Sequence, residues 1–267
     1  MSNKPLRVAL AGTGNVASHL AAAFGSNPGI SLVFIGDRTP ARARALAEAV
    51  GAQRWGTLED ISSVRDMDIL VVSVADNALA AVAAAIGRHP DSPMAVHTSG
   101  TVPKSVLEPV SSRTGILYPL QSFTAGVATD LAEVPFFIET SDEDDRSLLD
   151  DFARHLSPHV RYADEHVRGT LHIAGVFANN FVNAMLAQTE RILAAEGLDL
   201  GVVRPLVSAT VAKAFAIGPD AAQTGPARRG DSEVMALQRR RLPDDLRDVY
   251  DAVSGLITEK YHPKTSK

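Results

Sequence analysis

The chain has 267 residues, of which 45% are hydrophobic and 21% are charged, so it can form one large soluble domain or two ordinary ones. Its formal net charge of −5 gives no electrostatic basis for binding nucleic acid or an anionic membrane. It contains no cysteine, which excludes disulfides, thiolate metal sites and a cysteine nucleophile.

The first predicted elements are a strand at residues 6–11 and a helix at residues 17–24, joined by a GxGxxA turn. Gly12 permits the tight turn, Gly14 lets the backbone approach a phosphate, and Ala17 lets helix and strand pack closely. This order predicts a site for a dinucleotide pyrophosphate at the helix start, although a glycine turn without ligand is the alternative. The predicted cofactor-binding residues are Gly12, Thr13, Gly14, Asn15 and Val16.

A second predicted strand at residues 32–35 ends in a segment that selects between nucleotides. Asp37 is suitably placed to accept hydrogen bonds from a ribose 2′-hydroxyl, as in NAD binding, or is simply a turn residue. Arg38 and Thr39 could instead hold a 2′-phosphate through charge-assisted hydrogen bonds. Nearby arginines favour NADP as the cofactor, and NAD is the alternative.

The remaining N-terminal elements alternate between helix and strand, which predicts an α/β domain with a doubly wound parallel sheet. The predicted helices cover residues 40–50, 77–87 and 148–156, and the predicted strands cover residues 68–74, 94–97, 115–118, 135–139 and 160–162.

Polar loops follow several of these strands at their carboxyl ends, where open α/β sheets bind ligands. Val74 and Ala75 are predicted to lie along the nicotinamide ribose. Ser99 is predicted to contact the cofactor and the reacting carbonyl, or alternatively to cap the next helix. Gln121 is predicted to reach the same edge and to contact the substrate.

The chain changes character after Asp164, since residues 165–261 contain no convincing strand. We predict a dinucleotide-binding domain at residues 1–164 and an all-helical domain for substrate binding and dimerisation at residues 165–267. Small residues on the first long helix indicate close helix packing, either within the chain or in a homodimer. The predicted helices cover residues 167–196, 200–217, 231–241 and 243–260, and the tail from His262 to Lys267 is predicted to fray.

The long helix carries His172, Asn179 and Asn183 at spacings that place them on one face. Burying such a stripe is costly unless its members are hydrogen-bonded, so it indicates an active site more than structural packing. Histidine can give or take a proton near neutral pH. Further along, Arg228 lies in a turn-rich segment and could hold an anionic substrate group, or belong to an ordinary loop.

No metal site is predicted, and no apolar run is expected to span a membrane. The first predicted strand begins at residue 6, so we expect no signal peptide and a cytoplasmic location.

With these residues identified, the chain resembles the 6-phosphogluconate dehydrogenase-like superfamily. It is most similar to an uncharacterised family of two-domain Rossmann-like NADP oxidoreductases with a helical C-terminal domain of unknown function. The segments that carry the resemblance are residues 97–100, 118–121, 172–180, 224–226 and 228–231.

β-Hydroxyacid dehydrogenases of this superfamily carry Gly-x-x-x-Lys-x-x-Asn-Asn on the long helix. Here Asn179 and Asn180 match the paired asparagines, His172 stands at the glycine position and Val176 at the lysine position. The missing lysine argues against hydroxyacid oxidation but not against reduction, because imine reductases also lack it. Together with the residues above, this predicts an NADPH-using reductase of a small carbonyl or imine bound between the domains. Its predicted catalytic residues are Ser99 and Asn179, which would orient or polarise the C=O or C=N group, and His172, which would donate the proton. A non-catalytic NADP-binding regulatory or scaffold protein is the alternative.

Overall fold

An eight-stranded sheet organises the first part of the chain in the computed structural model, which describes residues 4–263. Four helices and several short 3-10 segments connect its strands, and a fifth helix follows the last strand. The strands are β1 (Leu6–Ala11), β2 (Ile30–Gly36), β3 (Trp55–Gly56), β4 (Ile69–Val72), β5 (Met94–His97), β6 (Thr114–Pro119), β7 (Phe136–Thr140) and β8 (Val160–Tyr162). The helices are α1 (Asn15–Ser26), α2 (Pro40–Val50), α3 (Leu79–Ile86), α4 (Glu143–Arg154) and α5 (Glu165–Gly175), and the 3-10 segments are Glu59–Ser63, Asp76–Ala78, Lys104–Leu107 and Leu131–Glu133.

Helices cover both faces of this sheet, because its strands are apolar on both sides. One core contains Leu20 and Phe24 of α1 with Phe152 of α4, and the Phe24 and Phe152 rings lie 5.5 Å apart. The other core contains Val82 and Ile86 of α3 against the opposite face. The prediction of a doubly wound α/β sheet is confirmed.

The strand order is β3-β2-β1-β4-β5-β6-β7-β8, so the chain leaves β1 towards one edge and returns to the other side at β4. Such a reversal creates a crevice at the carboxyl ends of the central strands, where ligands bind. The pairing of β6 with β7 is antiparallel and sets Tyr118 opposite Phe137, whereas the other neighbouring strands run parallel.

The predicted helix at residues 148–156 starts later than α4, which begins at Glu143, because the first turn of α4 is acidic rather than apolar. Asp142 caps this helix by accepting the Asp144 N–H, and the acidic side chains that follow favour a helix N-terminus. The two-residue strand β3 was missed because it is too short for a periodic signal.

The predicted long helix at residues 167–196 is present, but a π segment interrupts it. Helix α5 is followed by the π segment Val176–Phe181 and then by α6 (Val182–Ala194). π segments are rare and frequently occur at functional sites. A π segment has more residues per turn than an α-helix, so it rotates the side chains that follow it around the helix axis.

The compact units of the chain divide between Asn180 and Phe181 rather than near Asp164 as predicted. Helix α5 belongs to the first unit because Arg168 is buried against the sheet and Leu171 packs with Tyr118 and Phe137. The predicted boundary recognised the end of the strands but could not recognise that the first helix afterwards stays with them.

All regular secondary structure in the described part of the second unit is helical. Only Ala227 and Leu246 among its described residues are buried, and many large apolar side chains are exposed. Its helices are α6, α7 (Arg204–Ile217), α8 (Pro219–Ala222), α9 (Pro226–Arg229), α10 (Ser232–Arg241) and α11 (Asp244–Tyr261), with a 3-10 segment at Leu200–Val203. Most of the predicted frayed tail, residues 264–267, lies outside the described residues.

One segment of the second unit corrects the expectation that no run is long enough to span a membrane. Leu200–Ile217 has 18 residues, a mean hydropathy of 1.5 and no buried part. The expectation failed because Arg204 and Lys213 interrupt the apolar run without lowering its mean enough. By length and composition alone, this segment could cross a bilayer.

Candidate functional site

The glycine turn between β1 and α1 has the geometry of an anion site. Gly12 has φ +110°, and a Cβ there would lie 2.2 Å from the Ser73 carbonyl oxygen at the end of β4. Gly14 is the N-cap of α1, and a Cβ built on it would meet nothing within 4 Å. No side chain caps this helix start, so its N–H groups and positive dipole end remain available to a phosphate.

A cavity of about 190 Å³, here named the turn cavity, opens beside these glycines. It collects most of the predicted cofactor residues from four loops at the carboxyl edge. Its lining is Gly12, Thr13, Gly14, Asp37, Arg38, Thr39, Arg42, Leu58, Ser73, Val74, Ala75, Ala78 and Val82. Asn15 and Val16 are not among these residues, and the Asn15 amide instead donates to the Phe123 carbonyl at 3.1 Å.

The Asp37 carboxylate is already engaged within the turn cavity. One oxygen accepts the Thr13 hydroxyl at 2.8 Å, and the other accepts the Thr39 N–H at 2.9 Å. Arg38 and Arg42 line the same cavity. The arrangement therefore offers two guanidinium groups to a 2′-phosphate, while hydrogen bonds from Thr13 and Thr39 hold the one carboxylate in place.

The loop after β5 forms a buried turn closed by His97, which is fully buried. Its Nδ1 accepts the Ser99 N–H at 3.2 Å, so its Nε2 carries the proton and donates to the Pro103 carbonyl at 3.3 Å. The Ser99 hydroxyl accepts the N–H groups of Thr101 and Val102, both at 3.1 Å. Ser99 thus builds the turn and lines neither cavity described here, and its catalytic role stays a prediction.

Burial lowers the pKa of His97 to about 4, with a smaller contribution from the positive charge of Arg168. The imidazole is therefore neutral near pH 7. It acts as a fixed link between the two ends of the turn and not as a group that exchanges protons during a reaction.

Helix α5 brings His172 against Tyr118 of β6, a residue that sequence reasoning did not single out as a site residue. The His172 Nδ1 lies 3.3 Å from the Tyr118 hydroxyl oxygen. Gly100 lies beneath both, since a Cβ there would be 2.8 Å from His172 Nδ1 and 2.9 Å from the Tyr118 ring. The sequence signals for Tyr118 were its position at the carboxyl end of a predicted strand and its place in residues 118–121, one of the segments that carry the family resemblance.

These two side chains line a cavity of about 380 Å³, here named the His172 cavity. Burial, reinforced by the negative charge of Asp76, raises the pKa of Tyr118, so its phenol is protonated near neutral pH. The predicted residues Gln121 and Asn179 also line this cavity. The full lining is Tyr118, Leu120, Gln121, Ser122, Leu171, His172, Ala174, Gly175, Val176, Ala178, Asn179 and Asn180.

Two predicted substrate residues lie in the second unit. Asn183 is an exposed residue of α6 and does not line the His172 cavity. The Arg228 guanidinium stacks 3.9 Å from the centroid of the Tyr261 ring. Contact of either residue with a substrate stays a prediction.

Hydrogen bonds join the loops of the two cavities. The Thr98 hydroxyl donates to the Ser73 hydroxyl at 3.1 Å, and the Thr101 hydroxyl donates to Asp76 at 2.7 Å. Ser73 lines the turn cavity, while Gly100, between the two threonines, backs His172 and Tyr118. One continuous turn therefore connects a site for an anion with a pair of proton-carrying side chains. Within the described residues, no group of three or more His, Cys, Asp or Glu side chains could hold a metal ion.

Two family models match separate segments of the chain. Residues 6–100 match the model of an oxidoreductase family with an NAD-binding Rossmann fold. Residues 134–257 match a domain of unknown function, DUF2520. No curated protein matches the chain.

Solved structures give the same architecture over nearly the whole chain. A Bacteroides fragilis protein described as an NADP oxidoreductase is 35% identical, with a TM-score of 0.86, over 97% of this chain and 100% of its own. A reductive aminase from Aspergillus terreus, in complex with NADPH and ethyl-5-oxohexanoate, is 16% identical with a TM-score of 0.68, over 95% and 93%. An imine reductase from Myxococcus stipitatus, in complex with NADP+, is 19% identical with a TM-score of 0.64, over 95% and 93%.

The two reductases share the fold with this chain, whereas the Bacteroides fragilis protein is similar enough to define the family. The family and the glycine turn confirm the predicted dinucleotide cofactor, NADP(H). The chain belongs to the family of two-domain Rossmann-fold NADP oxidoreductases that includes the Bacteroides fragilis protein.

Proposed function

We propose that the protein is an NADPH-dependent reductase of a small carbonyl or imine substrate. The observation that carries the proposal is the His172–Tyr118 pair, which lines a cavity and is joined through one turn to the glycine-turn site. Reduction of a C=O or C=N bond needs a hydride and a proton, and these two features are suited to supply one each.

The first unit has the residues to hold the cofactor. The α1 N-terminus and Gly14 would hold the pyrophosphate, and Arg38 with Arg42 would hold the adenosine phosphate. Val74 and Ala75 would lie along the nicotinamide side of the crevice. When bound, NADPH supplies the hydride.

His172 is the proposed proton donor. As an imidazolium it donates its Nδ1–H to the Tyr118 oxygen, which fixes the ring and leaves the Nε2–H for the substrate. As the C=O or C=N bond is reduced, His172 would give its Nε2 proton to the substrate oxygen or nitrogen and would be left neutral. A proton taken up from bulk solvent then restores the imidazolium before the next turnover.

The polar groups around this pair would orient the substrate. Gln121 and Asn179 line the His172 cavity beside aliphatic residues such as Leu120, Leu171 and Val176. A few polar groups in an otherwise apolar lining are typical of sites for small organic molecules. The asparagine amide can donate to a carbonyl oxygen and so polarise the bond that is reduced.

The test is NADPH consumption by the purified protein with a panel of cyclic imines, ketones, aldehydes and keto acids. His172→Gln should lower kcat by about 10²- to 10⁴-fold, the usual contribution of a general acid, and leave the NADPH Kd within about twofold. His166→Gln is the matched control, because His166 is an exposed histidine of the same helix.

Two outcomes would contradict the proposal. Equal turnover by wild type and His172→Gln would remove His172 from the mechanism. Saturable NADPH binding without consumption across the panel would favour the alternative of a regulatory or scaffold protein, which Val176 at the family's lysine position also supports.

We also propose that the second unit forms a homodimer. Its helices need an apolar partner surface, because only two of its described residues are buried and Leu206, Phe215 and Leu256 are 68%, 89% and 69% exposed. A second copy presents the same apolar faces and could bury them symmetrically. The apolar segment Leu200–Ile217 is then explained as a dimer core element, and a cytoplasmic location stays a prediction.

A further inference from the structure

A buried ionic cluster lies behind the His172–Tyr118 pair. Arg168 is 1% exposed and is the largest fully buried side chain among the described residues. One of its terminal nitrogens donates to Glu139, and the other donates to the Val102 carbonyl at 3.0 Å. Lys104 donates to the second Glu139 oxygen at 2.5 Å. An arginine is almost never fully buried unless it is paired, so the burial of Arg168 depends on Glu139 and calls for a structural or functional reason.

The cluster joins the helix of His172, the strand next to that of Tyr118 and the turn packed beneath both side chains. Arg168 precedes His172 by one turn on α5, and Glu139 lies on β7, the strand that pairs with β6 of Tyr118. Val102 lies two residues after Gly100, the residue packed beneath both rings. One guanidinium therefore ties together the helix, the sheet and the turn whose relative positions decide the His172–Tyr118 distance.

We infer that Arg168 is a positioning residue for His172, held by Glu139, an inference that rests on the proposed reductase function. The planar guanidinium donates in two fixed directions, to Glu139 and to the Val102 carbonyl. It therefore fixes the rotation of α5 and the distance between the Gly100 turn and that helix. Proton transfer depends on sub-ångström placement, so the loss of this clamp lowers the rate of reaction more than it lowers binding.

Stability alone is a weaker account of this cluster. Replacing a buried ion pair with apolar residues of similar volume is often neutral or stabilising. The Arg168 Nε is also buried without a hydrogen-bond partner, which costs free energy that a purely stabilising arrangement would avoid. A fixed geometry at the adjacent pair explains why such a cost is retained.

Glu139→Gln tests the inference because it removes the charge and keeps the shape. We expect kcat to fall by about tenfold to a hundredfold, with the substrate KM and the NADPH Kd within about twofold of wild type. Asp145→Asn is the matched control: Asp145 is 5% exposed like Glu139 and pairs with Arg113 away from the site. This control should lose a similar amount of stability and keep its kcat.

A second measurement is independent of turnover. In nitrogen-labelled protein, NMR of the histidine ring should show a changed His172 Nδ1 environment in Glu139→Gln and an unchanged one in Asp145→Asn. If no substrate of the panel is turned over but this change is present, the proposed function fails and the positioning of His172 stands.

Arg168→Lys is the second test variant, for use if Glu139→Gln does not fold. Lysine keeps the positive charge but cannot donate to Glu139 and the Val102 carbonyl in two fixed directions as the guanidinium does. It should give the same loss of kcat and the same His172 change. An unchanged His172 signal in either folded variant would overturn the inference. Failure of both variants to fold would also overturn the inference, because Arg168 would then be required for the stability of the fold.

Discussion

Buried neutral His97 should make the stability of the protein fall in mild acid. Its pKa is about 4 in the folded protein, because burial disfavours the charged ring, against 6.5 for an unperturbed histidine. Between these values the unfolded chain binds the proton and the folded protein does not. The contribution of His97 to stability is therefore present above pH 6.5 and is lost as the pH falls towards 4.

The size of this loss follows from the two pKa values. The full difference corresponds to about 3 kcal/mol, of which about 2 kcal/mol is lost between about pH 7 and about pH 5. Because proteins of this size are stabilised by only about 5–15 kcal/mol, such a loss is readily measured.

The assay is urea unfolding of wild type and His97→Gln at several pH values in this range. The variant should be less stable near pH 7, since it loses the link between the Ser99 N–H and the Pro103 carbonyl. The gap between the two proteins should shrink by about 2 kcal/mol as the pH falls to about 5. A gap that stays constant with pH would show that His97 titrates normally in the folded protein, and the tautomer argument for the turn would be wrong.

Three further predictions concern the two cavities and the second unit. Gly100→Ala places a methyl 2.8 Å from His172 Nδ1, so kcat should fall by about tenfold to a hundredfold. Gly169→Ala is the control because a Cβ there has open space around it, and equal kcat values in the two variants would refute the packing argument. Asp37→Asn removes the carboxylate beside Arg38 and Arg42, so the preference for NADPH over NADH should rise by about tenfold in fluorescence titrations. An unchanged ratio of the two Kd values would show that the 2′-phosphate binds elsewhere. Phe215→Glu should shift the protein from dimer to monomer in analytical ultracentrifugation, whereas a monomeric wild type, or one that sediments with added lipid vesicles, would refute the dimer.

The local parts of the fold could be predicted because their signals are local. The GxGxxA turn, the apolar run of β4 and the Gly51 stop of α2 each depend on a few neighbouring residues. The same is true of most turn-cavity residues, since they follow strands whose carboxyl ends must meet at one edge of a parallel sheet.

The parts that could not be predicted depend on contacts between distant residues. Tyr118 and His172 are far apart in sequence, and only the packing of α5 on the sheet brings them together. The π segment Val176–Phe181 has no sequence signal either, and it includes Asn179 and Asn180 of the His172 cavity. The burial of Arg168 has no sequence signal, because Glu139 and Val102 become its partners only in the folded unit.

The central claim is that the glycine turn binds NADP(H), and equilibrium titration of the purified protein with NADPH measures this most directly. The account predicts saturable binding of one NADPH per chain, and loss of that binding in Gly12→Ala, whose methyl would lie 2.2 Å from the Ser73 carbonyl oxygen. Absence of saturable binding by the wild-type protein, with either NADPH or NADH, would contradict the account and the proton-transfer mechanism built on it.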